Sequence, residues 1–201
     1  MLKVVAVAGL ALVSLAASLS LADAKPTNKA PTSKAAAAGW TIDPRQSRIA
    51  FSTTWAGNII TGTFRQWSGD IKFDPTNLAG SQAVITIMTG SALTGVQEPD
   101  DNLATSDWFD ARRFPTARYV TQSIRSVGPG RYVADGVLTV KGMNYRVPLP
   151  FTLTLSGKVA TMTGQVKLDR IALKLGLESD ADAEWVARET VVNVAVRATL
   201  N

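Results

Sequence analysis

Cysteine and histidine are both missing from this sequence of 201 residues. Without cysteine there is no disulfide, no thiol nucleophile and no site for lipidation, so hydrophobic burial alone must hold the fold. Without histidine the chain lacks the usual general base near neutral pH and a common metal ligand. Serine–histidine–aspartate triads, zinc hydrolases and haem ligation by histidine are therefore excluded, and no metal or cofactor is expected. Carboxylates are the groups left for acid–base chemistry.

The excess of positive charge, 21 Lys and Arg against 16 Asp and Glu, is unevenly distributed. Lys3, Lys25, Lys29 and Lys34 all precede residue 40, and the remainder of the chain is nearly balanced. A nucleic-acid groove requires a concentrated basic face. The sequence therefore predicts no nucleic-acid partner.

The N-terminus has the pattern of a signal peptide over residues 1–24. Lys3 precedes an apolar run, and Ala22-Asp23-Ala24 provides the small residues of a cleavage site. This pattern predicts cleavage after Ala24 and a periplasmic or secreted protein. The alternative is an uncleaved membrane anchor, because the apolar run is close to the length that spans a bilayer.

Residues 25–39 are rich in Lys, Pro, Ala and Thr and contain no large apolar side chain. This composition is typical of a disordered linker. Residues 40–201 then have the size of one domain. Helical periodicity of useful length is lacking there, and short runs alternate apolar and polar residues between Gly, Asn, Asp and Pro turns, which is typical of antiparallel strands.

Consecutive strands with local connections form a sheet that must protect its edges. We therefore expect an all-β fold, an antiparallel β-barrel of about eight strands, with a two-sheet sandwich as the alternative. A barrel of this size can hold one small ligand. The inward positions of the runs would line its tunnel, or fill its core if nothing binds; they are Phe51, Ile60, Phe64, Ile85, Ile87, Leu138, Phe151, Met162 and Val194. Pro148 and Pro150 predict an edge or a kink in their strand.

Residues 94–115 form the longest segment without strand periodicity, predicted to be a long loop or a short helix. Loops of this length are usually functional. Trp108, Phe109 and Phe114 are either a lid over a ligand or anchors to the barrel wall. The carboxylates of this segment are Asp100, Asp101, Asp107 and Asp110. They could form a carboxylate pair or a calcium site. We expect a structural role at turns instead, because Asp is common there and the spacing does not match a calcium-binding loop.

A second loop covers residues 169–188. We expect its carboxylates, Asp180, Asp182 and Glu184, to be solvated rather than to bind a metal. We expect the arginines of the preceding region, Arg112, Arg113 and Arg118, to form a solvated rim, with contact to an anionic head group as the alternative.

The ordered set of motifs resembles the YceI-like family of exported, lipocalin-like bacterial proteins. The resemblance covers nearly all of residues 40–200. It rests on an opening strand, a Gly-x-Ile-x-Phe-Asp-Pro pattern and the long loop; the matching residues include Trp40, Ile42, Asp43, Ser47, Phe51, Gly62, Phe64, Gly69, Ile71, Phe73, Asp74, Pro75, Thr94, Asp100, Asp107, Trp108, Phe109, Asp110, Tyr119, Gly136, Gly142 and Arg170. Gln46 and Asn102 replace two histidines of the family pattern, and Leu173-Lys174 replaces its Phe-Gly.

The resemblance implies an extended antiparallel lipocalin-like β-barrel that holds a polyisoprenoid or isoprenoid quinone in its apolar interior, without an enzymatic reaction. Trp108 and Phe109 would join the tunnel residues as ligand contacts. Gln46 and Asn102 would contact the head group as hydrogen-bond partners that do not titrate. Because some family members accompany cytochrome b561-type proteins, a transient membrane or membrane redox partner is also implied, and a homodimer is left open.

Two rival functions differ in what they require of the residues. An interaction module serving a membrane redox partner would have a filled core and no bound lipid. A carboxylate-dependent hydrolase would work through the acidic loop and lose turnover on Asp107→Asn or Asp110→Asn with its fold intact.

Overall fold

The computed structural model describes residues 37–201. The predicted signal peptide and most of the predicted linker fall on residues 1–36, outside this described part. Within the linker range, Ala37 is buried and the first strand already begins at Gly39, so the folded domain begins slightly before residue 40.

The described residues form eleven strands and one short α-helix. The strands are β1 (Gly39–Ile42), β2 (Arg48–Trp55), β3 (Asn58–Phe64), β4 (Trp67–Lys72), β5 (Gln82–Met88), β6 (Ala92–Leu93), β7 (Thr116–Gly128), β8 (Arg131–Val140), β9 (Met143–Ser156), β10 (Val159–Asp169) and β11 (Glu189–Leu200). The helix α1 covers Gln97–Leu103, and short 3-10 turns lie at Leu78–Gly80 and Thr89–Ser91. No helix within residues 37–201 is long and apolar enough to cross a membrane.

The sheet closes on itself as an antiparallel barrel. Its ring follows the order β1, β4, β5, β7, β8, β9, β10, β11 and returns to β1, because β1 pairs with both β4 and β11. After a turn at residues 43–47, β2 continues along the same edge of β11 and pairs with β3 on its other side. The predicted eight-stranded barrel is confirmed, and the sandwich alternative was wrong.

Strand alternation sets which side chains face the interior. Along β11, the side chains of Val192, Val194 and Val196 face inward, and those of the residues between them face outward. Residues facing the interior are apolar because closure removes them from water, each contributing roughly 1.5–3 kcal/mol to folding when fully buried.

Two pairs of neighbouring strands stop hydrogen-bonding before the strands end. Each leaves a gap in the barrel wall, which we call a seam, and both seams lie at the same end of the barrel. The pairing of β9 with β10 stops at Phe151 and Gly164, and Pro148 and Pro150 lie just beyond it. Because proline cannot donate to a ladder, the predicted edge lies at this seam. The loop after β10 fills it: Leu173 and Leu175 pack against Ala117 and Val140 in a buried cluster.

The second seam lies along β3. This strand pairs with β6 only at Thr63 and Phe64, so its first five residues are bonded to β2 alone. The segment that follows β6 packs nearby: α1 lies against β6, and Phe109 contacts Phe64 of β3. Asp100 ties this segment together, accepting hydrogen bonds from the N–H groups of Thr94 (2.6 Å) and Gly95 (2.9 Å). The predicted loop thus contains a two-turn helix.

Aromatic side chains close the other end, where β4 ends and β8 begins. The ring of Phe73 meets Tyr132 edge-on at 5.3 Å between centroids, and Tyr132 stacks on Phe151 at 5.3 Å. Trp40 donates its indole N–H to the carbonyl of Phe73 (2.9 Å). These contacts are worth about 0.5–1.5 kcal/mol per aromatic pair beyond simple burial.

Candidate functional site: an apolar barrel cavity

The interior of the barrel holds a cavity of about 840 Å³. Its walls are the inward side chains of the ring strands, and one end is formed by α1, the β2–β3 hairpin and residues 179–186, which contribute both polar and apolar side chains. This volume falls within the range of pockets that enclose small-molecule ligands. The cavity is therefore an apolar tunnel with one aromatic end and one mixed end, which we call the mouth.

Nearly all the residues predicted as ligand contacts line this cavity. Those that do are Phe51, Ile60, Phe64, Ile85, Ile87, Asn102, Trp108, Phe109, Leu138, Phe151, Met162 and Val194. All five tryptophans of the chain line it as well; they are Trp40, Trp55, Trp67, Trp108 and Trp185. Contact of these residues with a ligand stays a prediction.

The two predicted head-group residues differ in position. Gln46 is exposed in the turn after β1, is not among the cavity residues, and donates its side-chain amide to Asp43 (2.7 Å). Asn102 lies at the mouth on α1 and donates to the carbonyl of Glu98 (2.8 Å), which leaves its amide oxygen toward solvent or a ligand. The structure therefore places only Asn102 where a head group could meet it.

Glycines on neighbouring strands keep two inward rings against the wall. Phe51 pairs with Gly62, and a Cβ at Gly62 would collide with the Phe51 ring. In the same way the Tyr119 ring lies over Gly136, and its hydroxyl donates to the carbonyl of Ala134 (2.8 Å) or Val147 (3.0 Å). Burial raises the pKa of Tyr119 far above its ordinary value, with the Asp135 charge adding to the effect. The phenol therefore stays neutral.

Asp107 joins the two long loops over the barrel. Its carboxylate accepts hydrogen bonds from the N–H of Glu178 (2.8 Å) and from the N–H and hydroxyl of Ser179 (3.1 and 2.5 Å). Partial burial acts to raise the pKa of Asp107, but these bonds and the Lys141 charge outweigh it, so the pKa is lowered. Lys141 binds the same junction through the carbonyls of Ser106, Asp107 and Lys174.

A buried ion pair organises the loop after β10. Arg170 is 1% exposed and donates to the Asp180 carboxylate at 2.6 Å, and its remaining N–H groups meet loop carbonyls. Burial lowers the pKa of Arg170 against the opposing charge of Asp180. Burial also acts to raise the pKa of Asp180, but three backbone N–H groups and Arg170 outweigh it, and the pKa is lowered.

The expectation that Asp180 is solvated was therefore wrong. Its carboxylate is the acceptor that shapes residues 180–186, receiving N–H groups from Glu184, Trp185 and Val186. Asp182 and Glu184 are exposed, as expected. An arginine at a strand end followed by an acidic loop is a weak sequence signal, and spacing alone could not pair Arg170 with one of three carboxylates.

The aromatic residues of the long loop serve as both roof and anchor. Trp108 lines the cavity, contacts the buried cluster and lies beneath the Arg170 guanidinium at 5.6 Å from its ring centre. Phe109 meets Phe64 edge-on at 5.7 Å. Phe114 is not among the cavity residues and packs near Gly142.

Three of the four aspartates of the long loop have structural partners. Asp110 is buried and pairs with Arg113 at 3.3 Å, while Asp100 and Asp107 hold turns as described above. Asp101 is exposed. No group of three or more potential metal-ligating side chains occurs in residues 37–201. Arg112, Arg113 and Arg118 are all exposed.

Comparison with known proteins decides the family. A family model described as YceI-like domain matches residues 40–198. The chain belongs to the YceI-like family. Its relatives include the UPF0312 protein of Photorhabdus laumondii, 33% identical over 129 residues that cover 63% of this chain and 67% of that protein. The UPF0312 protein of Pseudomonas savastanoi pv. phaseolicola is 27% identical over 128 residues, 62% of this chain and 67% of its own.

Solved structures share the fold of this YceI-like chain. BcnA of Burkholderia cenocepacia is 30% identical with a TM-score of 0.75, covering 79% of this chain and 99% of its own. A polyisoprenoid binding domain from Saccharophagus degradans, implicated in plant cell wall breakdown, superposes with a TM-score of 0.64 at 14% identity over 82% of this chain and 99% of its own. At that identity the second likeness establishes the fold alone.

Proposed function

We propose that this YceI-like chain is a carrier or sequestering protein that holds an amphiphilic isoprenoid, a polyisoprenoid or an isoprenoid quinone, in the barrel cavity. The observation that carries the proposal is the continuous apolar cavity of about 840 Å³, closed by aromatic side chains at one end. The fold shared with the polyisoprenoid binding domain of Saccharophagus degradans supports it.

The cavity suits a long hydrocarbon because affinity can accumulate without specific polar contacts. Each buried CH₂ contributes about 0.8 kcal/mol, so an isoprenoid tail that fills the tunnel would bind through its length. Its head group would remain at the mouth, near Asn102, Glu98 and Ser179. A cavity between rigid sheet walls is preformed, which reduces the ordering cost of binding.

We assign no reaction to this site. Asp107 and Asp110, which the hydrolase hypothesis required, are engaged with Ser179 and Arg113 respectively. The interaction-module hypothesis required a filled core, where the structure has a cavity. Neither rival gains support from a specific contact.

We propose further that the carrier acts in the periplasm. The support is the signal-peptide pattern of residues 1–24. Fractionation of host cells should recover the protein with periplasmic markers, with a mature N-terminus at Lys25. Recovery only with cytoplasmic markers would contradict this location.

Quenching of intrinsic fluorescence tests the binding proposal directly, because all five tryptophans line the cavity. A long-chain isoprenoid quinone, added from detergent micelles, should quench the emission with saturation near one quinone per chain. Unsaturable quenching that tracks the micelle concentration would contradict the proposal.

A matched pair of variants separates the cavity from the surface. Val194 faces the cavity and Val191, on the same strand, faces outward. Val194→Phe should weaken quinone binding by about tenfold, because the ring takes the volume of several CH₂ groups. Val191→Phe should leave it unchanged. Equal effects of the two substitutions would place the quinone outside the barrel.

A further inference from the structure

The most exposed large hydrophobic side chains of residues 37–201 are Ile59 at 80% and Trp185 at 63%. A single exposed apolar residue needs no explanation, since folded proteins show many. These two are different because the fold places both of them at the mouth of the cavity, one on each side of β2.

Backbone contacts fix this placement. The carbonyl of Trp185 accepts a hydrogen bond from the N–H of Ala56 (2.8 Å) at the β2–β3 turn. On the other side of β2, Ile59 pairs with Thr54. Ile59 and Trp185 therefore flank the last residues of one strand, and we call them the apolar rim.

The apolar rim is continuous with the interior. Trp185 and Ala56 both line the cavity, and Ile60, next to Ile59, faces into it from β3. β3 has no partner strand along its first five residues on the side toward α1. Because side chains alternate along a strand, Ile59 lies on the outer face of β3 where Ile60 lies on the inner face, so both faces of this strand are apolar at the mouth.

Charge around the rim indicates the kind of surface it fits. Residues 55–60 carry no charge. The loops that form the mouth carry three exposed carboxylates, Glu98, Asp182 and Glu184. The exposed Arg188 of the same region is paired with Asp169 at 2.7 Å. Carboxylates repel a strongly anionic surface, and this repulsion falls with distance and salt. Tryptophan favours the boundary between lipid chains and head groups.

We propose that the apolar rim docks the mouth onto a zwitterionic lipid bilayer, where Ile59 and Trp185 enter the head-group layer. The tunnel then opens against the membrane, and an apolar ligand passes between the two without crossing water. The ligand part of this inference rests on the proposed carrier function; the docking itself does not require a bound ligand.

Co-flotation with vesicles tests the docking. Full-length mature protein is mixed with phosphatidylcholine vesicles and separated on a density gradient. Wild type should float, and Ile59→Ser or Trp185→Ser should weaken partition by about tenfold each, the factor that corresponds to removing one inserted large apolar side chain.

Two controls lie at the opposite end of the barrel. Val127 and Leu155 are 46% and 42% exposed beside the β7–β8 and β9–β10 turns. Val127→Ser and Leu155→Ser should float like wild type. Wild type that stays at the bottom would overturn the docking proposal in favour of a protein partner. Flotation that is equal in wild type and in all four variants would overturn the role of the apolar rim.

Quinone binding from detergent micelles separates the two proposals. Ile59→Ser should still bind the quinone as wild type does, since Ile59 is not among the cavity residues. If the wild type does not bind the quinone, the carrier function is overturned, and the vesicle experiment still decides the docking proposal.

Discussion

The ring of Phe51 lies across Gly62 on the neighbouring strand, in the space that a side chain at residue 62 would fill. Tyr119 and Gly136 repeat this arrangement on the other side of the barrel. These two inward rings occupy the space beside the wall that the missing side chains at residues 62 and 136 leave open, instead of taking that volume from the tunnel. The glycines therefore control the space available to a ligand.

Gly62→Ala should destabilise the barrel and also reduce the amount of quinone that the cavity binds. The added methyl group must displace the Phe51 ring, and overpacking of this kind costs about 1–3 kcal/mol. Denaturant unfolding and quinone titration of the same variant measure the two effects. Gly90→Ala is the control, since its methyl group would lie at an ordinary 3.6 Å from Ala111. If Gly62→Ala unfolds at the same denaturant concentration as wild type and binds as much quinone, the role given to this glycine is wrong.

Asp180→Asn should be strongly destabilising because it leaves the Arg170 guanidinium buried without a counter-charge. Breaking a buried pair from one side costs about 3–5 kcal/mol. Asp182→Asn, two residues away and exposed, should change the free energy of unfolding by less than about 0.5 kcal/mol. Similar losses in the two variants would show that loop composition, and not the ion pair, determines stability.

Acid should loosen the roof of the barrel. The pKa of Asp107 is lowered in the folded protein, so the stability that it contributes is present above the ordinary aspartate pKa and is lost as pH falls through the lowered value. Stability should therefore decline below about pH 4. Asp107→Asn should cost about 1–2 kcal/mol at pH 7 and flatten this decline. A wild-type slope in the variant would contradict the assignment.

Gly176→Ala and Gly57→Ala separate backbone strain from packing. Both glycines have positive φ, +70° and +80°, where a side chain costs about 1–2 kcal/mol. A methyl group at Gly57 would meet nothing within 4 Å, whereas at Gly176 it would lie 2.8 Å from Trp108 and 2.9 Å from Arg170. Gly176→Ala should therefore be the more destabilising by about 1–3 kcal/mol. Equal losses would mean that the Trp108 contact is unimportant.

The alternation of apolar and polar residues predicted the antiparallel strands and most of the inward positions, and left a barrel and a sandwich open until the family resemblance favoured the barrel. Side chains such as Phe51, Met162 and Val194 face inward because the period of a strand is two, a property that the sequence displays directly. The seam beside β9 was also partly predictable, because Pro148 and Pro150 cannot complete a ladder.

Long-range partners within loops were not predictable. Asp180 and Asp182 are both acidic residues in a polar loop, and only the folded chain brings one of them to Arg170. Gln46 was expected at a head group because of its place in the family pattern. The turn after β1 directs its amide to Asp43 instead. Local sequence gives the strand faces, whereas the meeting of two loops depends on the closed barrel.

Native mass spectrometry of the mature protein, purified from its own host, tests the central claim most directly. The account predicts a stoichiometric adduct that solvent extraction releases as an isoprenoid lipid, and that is diminished in Val194→Phe but retained in Val191→Phe. A bare mass that remains bare after incubation with membrane lipids would contradict the carrier function.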